Sequence, residues 1–270
     1  MSKKVLLIIL DGYGHSDHHE HNAIFLAKKP NIDAMEKAYP HSLIQTSGEA
    51  VGLPPGVMGN SEVGHLNIGS GRIIKQEFTK IADFAKEKGF ETLPDMARVL
   101  NGKGDIHIMG LFSDGGVHSH CEHFFLLLEA AQKVNTKNKI YLHLMTDGRD
   151  TPPQSALTYL TMLESAIKNT GHGIIATVGG RYFMMDRDKR WDRVKLAYDA
   201  LTKLQPDLEM NSAKEIIETA YKNGETDEFI KPKQIKGTQR IKSSDSVIFI
   251  NFRADRAREI SQALSIKEFN

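Results

Sequence analysis

The chain has 270 residues, 40% of them hydrophobic, with Lys+Arg 35 against Asp+Glu 34 and a single cysteine, Cys121. That length predicts one to two domains with at least one sizeable core, and a formal charge of +1 points neither to a nucleic-acid partner nor to an acidic disordered tail. One cysteine excludes an intrachain disulfide framework, and the longest aliphatic run, Val5 to Leu10, is too short to span a bilayer. A cytoplasmic protein is the expectation.

In chain order, Val5 to Leu10 reads as a buried strand, and 23–38 as helical material interrupted at Pro30. Gly48 to Gly59 reads as loop, and Leu66 to Arg72, with Gly69 and Gly71, as a hinge or crossover. Beyond residue 76 the rhythm is clearer. Strands are predicted over Ile106 to Phe112, Ile140 to Met145, Ile174 to Val178 and Val247 to Phe252, with helices near 121–134, 155–168, 191–203, 213–223 and 255–264. This alternation predicts an α/β fold, a mostly parallel sheet covered by helices. Ligands of such sheets sit outside the carboxyl ends of the strands, so the loops there are the candidates.

The first loop carries Asp11-Gly12-Tyr13-Gly14, where Asp11 is a metal ligand or a turn residue. Ser61, in Met58-Gly59-Asn60-Ser61-Glu62-Val63-Gly64-His65, is not in a hydrolase elbow, because Val63 occupies the second glycine position. It is a helix cap or a nucleophile that needs a base or a metal. Seven of the 11 arginines (149, 181, 187, 190, 193, 253 and 256) fall in the later loops beside six aspartates. Forked guanidinium groups suit phosphate and carboxylate, so a small, doubly anionic ligand is expected, with some arginines paired to aspartates instead. His118, His120, Cys121 and His123 offer a zinc alternative, against which His118 reads as a ligand-binding or proton-handling group. His15, His18, His19 and His21 read as a solvated loop.

Taken together, LDGYG at 10–14, GEAVGLP at 48–54, MGNSEVGHLNIG at 58–69, SDGGVHSH at 113–120, DGRD at 147–150, MDRDKRWDR at 185–193 and NFRADR at 251–256 closely resemble the cofactor-independent phosphoglycerate mutases. The resemblance runs in order along essentially the whole chain. It implies an alkaline-phosphatase-like metalloenzyme that interconverts 3-phosphoglycerate and 2-phosphoglycerate through a phosphoserine, with two manganese ions and no 2,3-bisphosphoglycerate. Carried over, Ser61 takes the phosphoryl group and contacts metal, and Asp11 ligates metal. His118, Arg149, Asp150, Arg181, Arg187, Arg253 and Arg256 bind substrate, with Asp150 also handling a hydroxyl proton.

The same resemblance implies an incomplete metal-binding phosphatase-like piece over 1–75 and most of a phosphotransferase domain over 76–270. Family members are longer, and their second half brings the other metal-binding Asp and His residues and a substrate-binding lysine. The chain is therefore expected to be an N-terminal portion, inactive alone, of an enzyme that is a monomer and closes on phosphoglycerate without membrane or nucleic acid. The alternative is a non-catalytic phosphoglycerate-binding module.

Overall fold

The computed structural model describes residues 4–266 and 269, and the chain divides into two compact units, Met1–Thr79 and Lys80–Asn270. The first unit holds helices α1 (Ala23–Leu26), α2 (Pro30–Ala38) and α3 (Ser61–Ser70) and a 3-10 turn at Gly48–Val51. Pro30 opens α2 at its first turn, where the missing N–H has no helical partner to lose. Val51, Leu53 and Val63 form a small buried cluster.

Two expectations fail in this unit. Val5 to Leu10 is not a buried strand: no residue of it is in a sheet, and Val5 is 92% exposed. An extended segment becomes a strand only where neighbours take up its N–H and C=O groups, and the described residues of this unit include no strand to do so. Leu66 to Arg72 is not a crossover either. It continues α3 to Ser70, and Gly71 (φ 65°) closes the helix in the left-handed conformation that glycine adopts without strain. Asn67 pins this stretch, donating to the carbonyls of Val51 and Val63 and accepting from Ile74 N–H.

After α4 (Glu77–Glu87) and α5 (Pro94–Leu100), the second unit alternates strand and helix. The order is β1 (Ile106–Leu111), α6 (Glu122–Lys133), β2 (Ile140–Thr146), α7 (Ala156–Thr170), β3 (Ile174–Gly180), α8 (Arg181–Met184) and α9 (Trp191–Thr202). Then come β4 (Glu209–Met210), α10 (Ala213–Lys222), β5 (Lys233–Ile235), β6 (Ser246–Phe249) and α11 (Arg258–Ser265). The sheet order is β4-β5-β3-β2-β1-β6, parallel throughout except that β5 runs antiparallel to β3. The mostly parallel α/β sheet is as expected, with β4, β5, α4 and α5 added. The last strand stops at Phe249 rather than Phe252, because the Asn251 side chain, not its backbone, accepts the Leu111 N–H.

Every residue of β1 and β2 is buried, as strands covered on both faces must be. Their period of two sorts them into two cores. Ile106, Ile108, Leu142 and Leu144 pack with Phe124, Leu128, Leu160, Leu163 and Ile216 from α6, α7 and α10. Met109, Leu111 and Met145 pack on the other face with Val194, Leu201, Ile260 and Ala263 from α9 and α11.

A polar chain crosses this second face. One proton pattern satisfies it: Thr177 Oγ1 donates to His143 Nδ1 (2.9 Å), His143 Nε2 to His107 Nδ1 (2.8 Å), and His107 Nε2 to Asp245 Oδ2 (3.2 Å). Burial, followed by the like charges of His107 and Arg240, pushes His143 well below the usual imidazole range. Burial also lowers His107, against the pull of Asp245 and Asp105. Both rings are therefore neutral when folded but take up protons when unfolded, at a pKa of about 6.5. Stability is fully present above that pH and is lost as pH falls through it. Thermal midpoints should drop on acidification from pH 7.5 to 5, and His143→Gln should flatten the drop; a flat profile for the unaltered chain would contradict this.

Candidate functional site

The loops after β1, β2, β3 and β6 are tied together by two carboxylates, Asp147, which is buried, and Asp255, which is partly exposed. Asp147, just past β2, accepts the N–H groups of Arg149 (3.2 Å) and Asp150 (3.0 Å) on Oδ1 and the Ser113 hydroxyl (2.6 Å) on Oδ2. Arg181, the first residue after β3, adds Nη1 to Asp147 Oδ1 at 2.7 Å and to Asp150 Oδ2 at 2.6 Å. Burial opposes ionisation of Asp147, yet the Ser113 hydroxyl and the Arg181 guanidinium together hold its carboxyl below the usual range.

Asp255, in the loop after β6, is the second hub. Its Oδ2 accepts from Arg187 Nη1 (3.0 Å) and Arg253 Nη2 (3.5 Å), while Oδ1 faces His118 Nδ1 at 3.5 Å. Burial raises its pKa, but the charge of Arg253 and then the His118 ring outweigh that and keep it ionised. Burial, then the charges of Arg181 and Arg253, lower His118 to about 4, so its ring is neutral at pH 7. The 3.5 Å contact between His118 and Asp255 is not a hydrogen bond: both facing atoms are buried and have no such partner among the described residues, nor does Arg181 Nε. Buried polar atoms without partners are uncommon and mark places where a bound group can supply them.

A cavity of about 160 Å³ opens beside these hubs, lined by Arg149, Arg181, Arg193 and Arg256 with Asp186, Asp188, Glu228, Tyr182 and Phe229. Arg256 donates to the Met185 carbonyl (3.1 Å); burial and the charges of Arg181, Arg187 and Arg149 lower its pKa. Such crowding of cations favours an anion at this point. Arg193 lies flat over the Tyr182 ring, 3.7 Å from its centroid, and reaches Asp186 at 3.4 Å. The structure thus brings together all seven of His118, Arg149, Asp150, Arg181, Arg187, Arg253 and Arg256. Arg181 differs in kind: at 2% exposed it is a buried strut rather than a rim residue. Glu228 and Phe229 were not expected, because they precede the short β5 and follow no strand end that the sequence reveals.

Ser61 and Asp11 meet within the first unit. Asn60 is the cap of α3, accepting from Val63 N–H at 3.2 Å, so Ser61 is not needed as one. Its hydroxyl instead donates to Asp11 Oδ2 at 2.6 Å, with His65 Nδ1 at 3.3 Å. Two oxygen donors at one point suit part of the shell of a hard divalent cation. Among the described residues no three His, Cys, Asp or Glu side chains gather to complete such a shell, so these residues alone do not fit two metal ions. The zinc alternative finds no support: among the described residues His118, His120, Cys121 and His123 do not gather three side chains at one point. His15, His18, His19 and His21 lie in an exposed loop.

The sequence profile for the N-terminus of BPG-independent PGAM (iPGM_N) matches residues 76–270. The chain belongs to this family. Curated relatives named 2,3-bisphosphoglycerate-independent phosphoglycerate mutase extend the likeness to the first unit. Those of Clostridium novyi and Clostridium beijerinckii are 50% and 51% identical over 100% of this chain and 54% of their own length. A mutase of Methanosarcina barkeri is 48% identical over 99% of the chain. The chain therefore spans about half the length of the curated relatives it matches. A crystal structure of Leishmania mexicana phosphoglycerate mutase at low cobalt concentration superposes with a TM-score of 0.79 at 31% identity, covering 97% of this chain and 51% of that one. This chain is built on a mixed, mostly parallel six-stranded sheet. No helix among the described residues is long and apolar enough to cross a membrane.

Proposed function

We propose that this chain is the N-terminal part of a phosphoglycerate mutase, in which Lys80–Asn270 binds phosphoglycerate and Ser61 receives its phosphoryl group. The observation that carries this reading is the pair of carboxylate hubs. They order the loops that carry His118, Arg149, Arg181, Arg187, Arg253 and Arg256, of which Arg149, Arg181 and Arg256 line one cavity, while buried atoms of His118, Asp255 and Arg181 have no hydrogen-bond partner among the described residues. The substrate is small and carries a carboxylate, a phosphoryl group and one hydroxyl, which forked cations and a few acceptors recognise.

In the forward direction the phosphoryl group leaves the C3 oxygen of 3-phosphoglycerate for Ser61 Oγ, and a proton takes its place on glycerate. The reverse transfer, to the C2 oxygen, releases 2-phosphoglycerate and restores the serine. Arg253, Arg256 and Arg149 hold glycerate between the two transfers, so it reorients without escaping. Asp150 moves the hydroxyl proton: Arg181 engages its Oδ2 and so fixes the carboxylate in place. Asp11 and Ser61 would hold one divalent cation, manganese in our reading, whose charge would ease deprotonation of the Ser61 hydroxyl. The rest of that shell comes from outside the described residues.

The 270-residue chain alone should bind phosphoglycerate without converting it. A polypeptide extended to the full length of the relatives should interconvert 3- and 2-phosphoglycerate and show phospho-Ser61 by mass spectrometry. Ser61→Ala should cut its turnover by at least about 10⁴-fold, as loss of a covalent nucleophile does. Manganese-dependent conversion by the 270-residue chain would overturn the incomplete metal site. Full turnover by Ser61→Ala would overturn the phosphoserine.

A further inference from the structure

We propose that Glu228 sets the selectivity of the cavity, accepting a ligand's hydroxyl and excluding ligands that carry a second phosphoryl group in its place. This rests on the reading that the cavity binds phosphoglycerate.

Glu228 is held in place from several sides. Its segment, a 3-10 turn at Asp227–Phe229, lies across the ends of β2 and β3: Thr146 Oγ1 donates to the Asp227 carbonyl (2.7 Å), and Gly180 N–H to the Ile230 carbonyl (2.7 Å). Gly180 permits this approach, since a Cβ there would fall 2.2 Å from the Glu228 carbonyl oxygen. The Asp227 carboxylate takes the N–H groups of Ser155 (2.8 Å) and Ala156 (2.9 Å) at the start of α7 and the Tyr221 hydroxyl from α10. Glu228 is thus a fixed wall residue, 19% exposed in its side chain, and not a mobile surface carboxylate.

Its charge is also less committed than that of its neighbours. Asp147 and Asp150 are engaged by Arg181, Asp186 by Arg193 and two backbone N–H groups, and Asp255 by Arg187 and Arg253. Glu228 stands 3.6 Å from Arg149 Nη1, an ion pair beyond hydrogen-bond reach, on the cavity wall. Four arginines alone would prefer the more highly charged of two ligands. A carboxylate among them reverses that preference locally: it accepts a hydrogen bond from a hydroxyl and repels a phosphoryl dianion at the same place. Phosphoglycerate offers a hydroxyl there, and a bisphosphate does not.

Isothermal titration of the 270-residue chain with 3-phosphoglycerate and with 2,3-bisphosphoglycerate, at fixed ionic strength, reads this as a ratio of affinities. Glu228→Gln is expected to shift the ratio toward the bisphosphate by about tenfold, and Glu228→Lys further, because the Coulomb term changes by one and then two charges. Asp188→Asn, at an exposed cavity residue, should shift it less. A looser Arg149 would weaken both ligands together and leave the ratio alone, so the ratio separates selectivity from mere positioning. An unchanged ratio in both Glu228→Gln and Glu228→Lys, with 3-phosphoglycerate still bound, overturns the role of Glu228 and leaves the phosphoglycerate reading standing. Absence of 3-phosphoglycerate binding by the unaltered chain overturns both.

Discussion

Arg181→Met should destabilise Lys80–Asn270 by about 3–5 kcal/mol, the usual cost of stranding one partner of a buried ion pair. Arg181 and Asp147 are each 2% exposed, and Nη1 of the arginine serves Asp147 at 2.7 Å and Asp150 at 2.6 Å. Without it Asp147 keeps the Ser113 hydroxyl and two backbone N–H groups but loses its countercharge. Arg181→Lys should recover only part of the loss, because the shorter lysine side chain must reach both carboxylates with its one ammonium nitrogen. Pairing Arg181→Met with Asp147→Leu should cost less than the sum of the two single changes. Urea unfolding of the unaltered chain, the three single variants and the double variant measures this, and a loss below about 1 kcal/mol for Arg181→Met would show the strut to be unimportant. Because the folded pKa of Asp147 is depressed, its contribution is present above about pH 3.9 and fades as pH falls below it.

Arg253→Ala combined with Arg256→Ala should weaken 3-phosphoglycerate binding by at least about a hundredfold, since a hydrogen bond to a charged group contributes about 1.5–3 kcal/mol. The expected effect on stability has the opposite character. Arg256 sits half-buried among Arg181, Arg187 and Arg149, which, after burial, lower its pKa, so its removal relieves repulsion in the unliganded chain. For Arg256→Ala alone, loss of affinity with an unchanged or raised thermal midpoint is the expected result, whereas Arg253→Ala also removes the charge that keeps Asp255 ionised and should lower the midpoint. A lowered midpoint for Arg256→Ala alone would mean that this arginine acts as a structural tie.

Lys80–Asn270 was readable because its pattern is local. Apolar runs such as Ile140 to Met145 announce strands buried on both faces, and residues 155–168 repeat their apolar positions at helical spacing, matching β2 and α7. What could not be read depends on partners distant in sequence. β5, of three residues, exists because β3 offers it an edge, and the two-residue β4 pairs in turn with β5. Asp227, which receives the first N–H groups of α7, lies 72 residues from Ser155, and nothing in its own neighbourhood signals that duty. Val5 to Leu10 has the composition of a strand but no strand beside it among the described residues.

The candidate site divides the same way. Clustering of arginines and aspartates in the loops after strands was visible in the sequence, but the distinction between a buried strut, Arg181, and exposed groups such as Arg149 was not. Ser61 was ambiguous because a serine before an apolar stretch is an ordinary cap. The geometry gives the capping duty to Asn60 and turns the Ser61 hydroxyl to Asp11.

The central claim is that this chain carries a working phosphoglycerate site without completing the chemistry. Calorimetric titration of the purified 270-residue chain with 3-phosphoglycerate tests it most directly. One equivalent should bind, with an affinity that falls as salt rises and is lost in the Arg253→Ala, Arg256→Ala double variant. A chain that unfolds cooperatively, and so is folded, yet takes up no 3-phosphoglycerate at millimolar concentration would contradict the account.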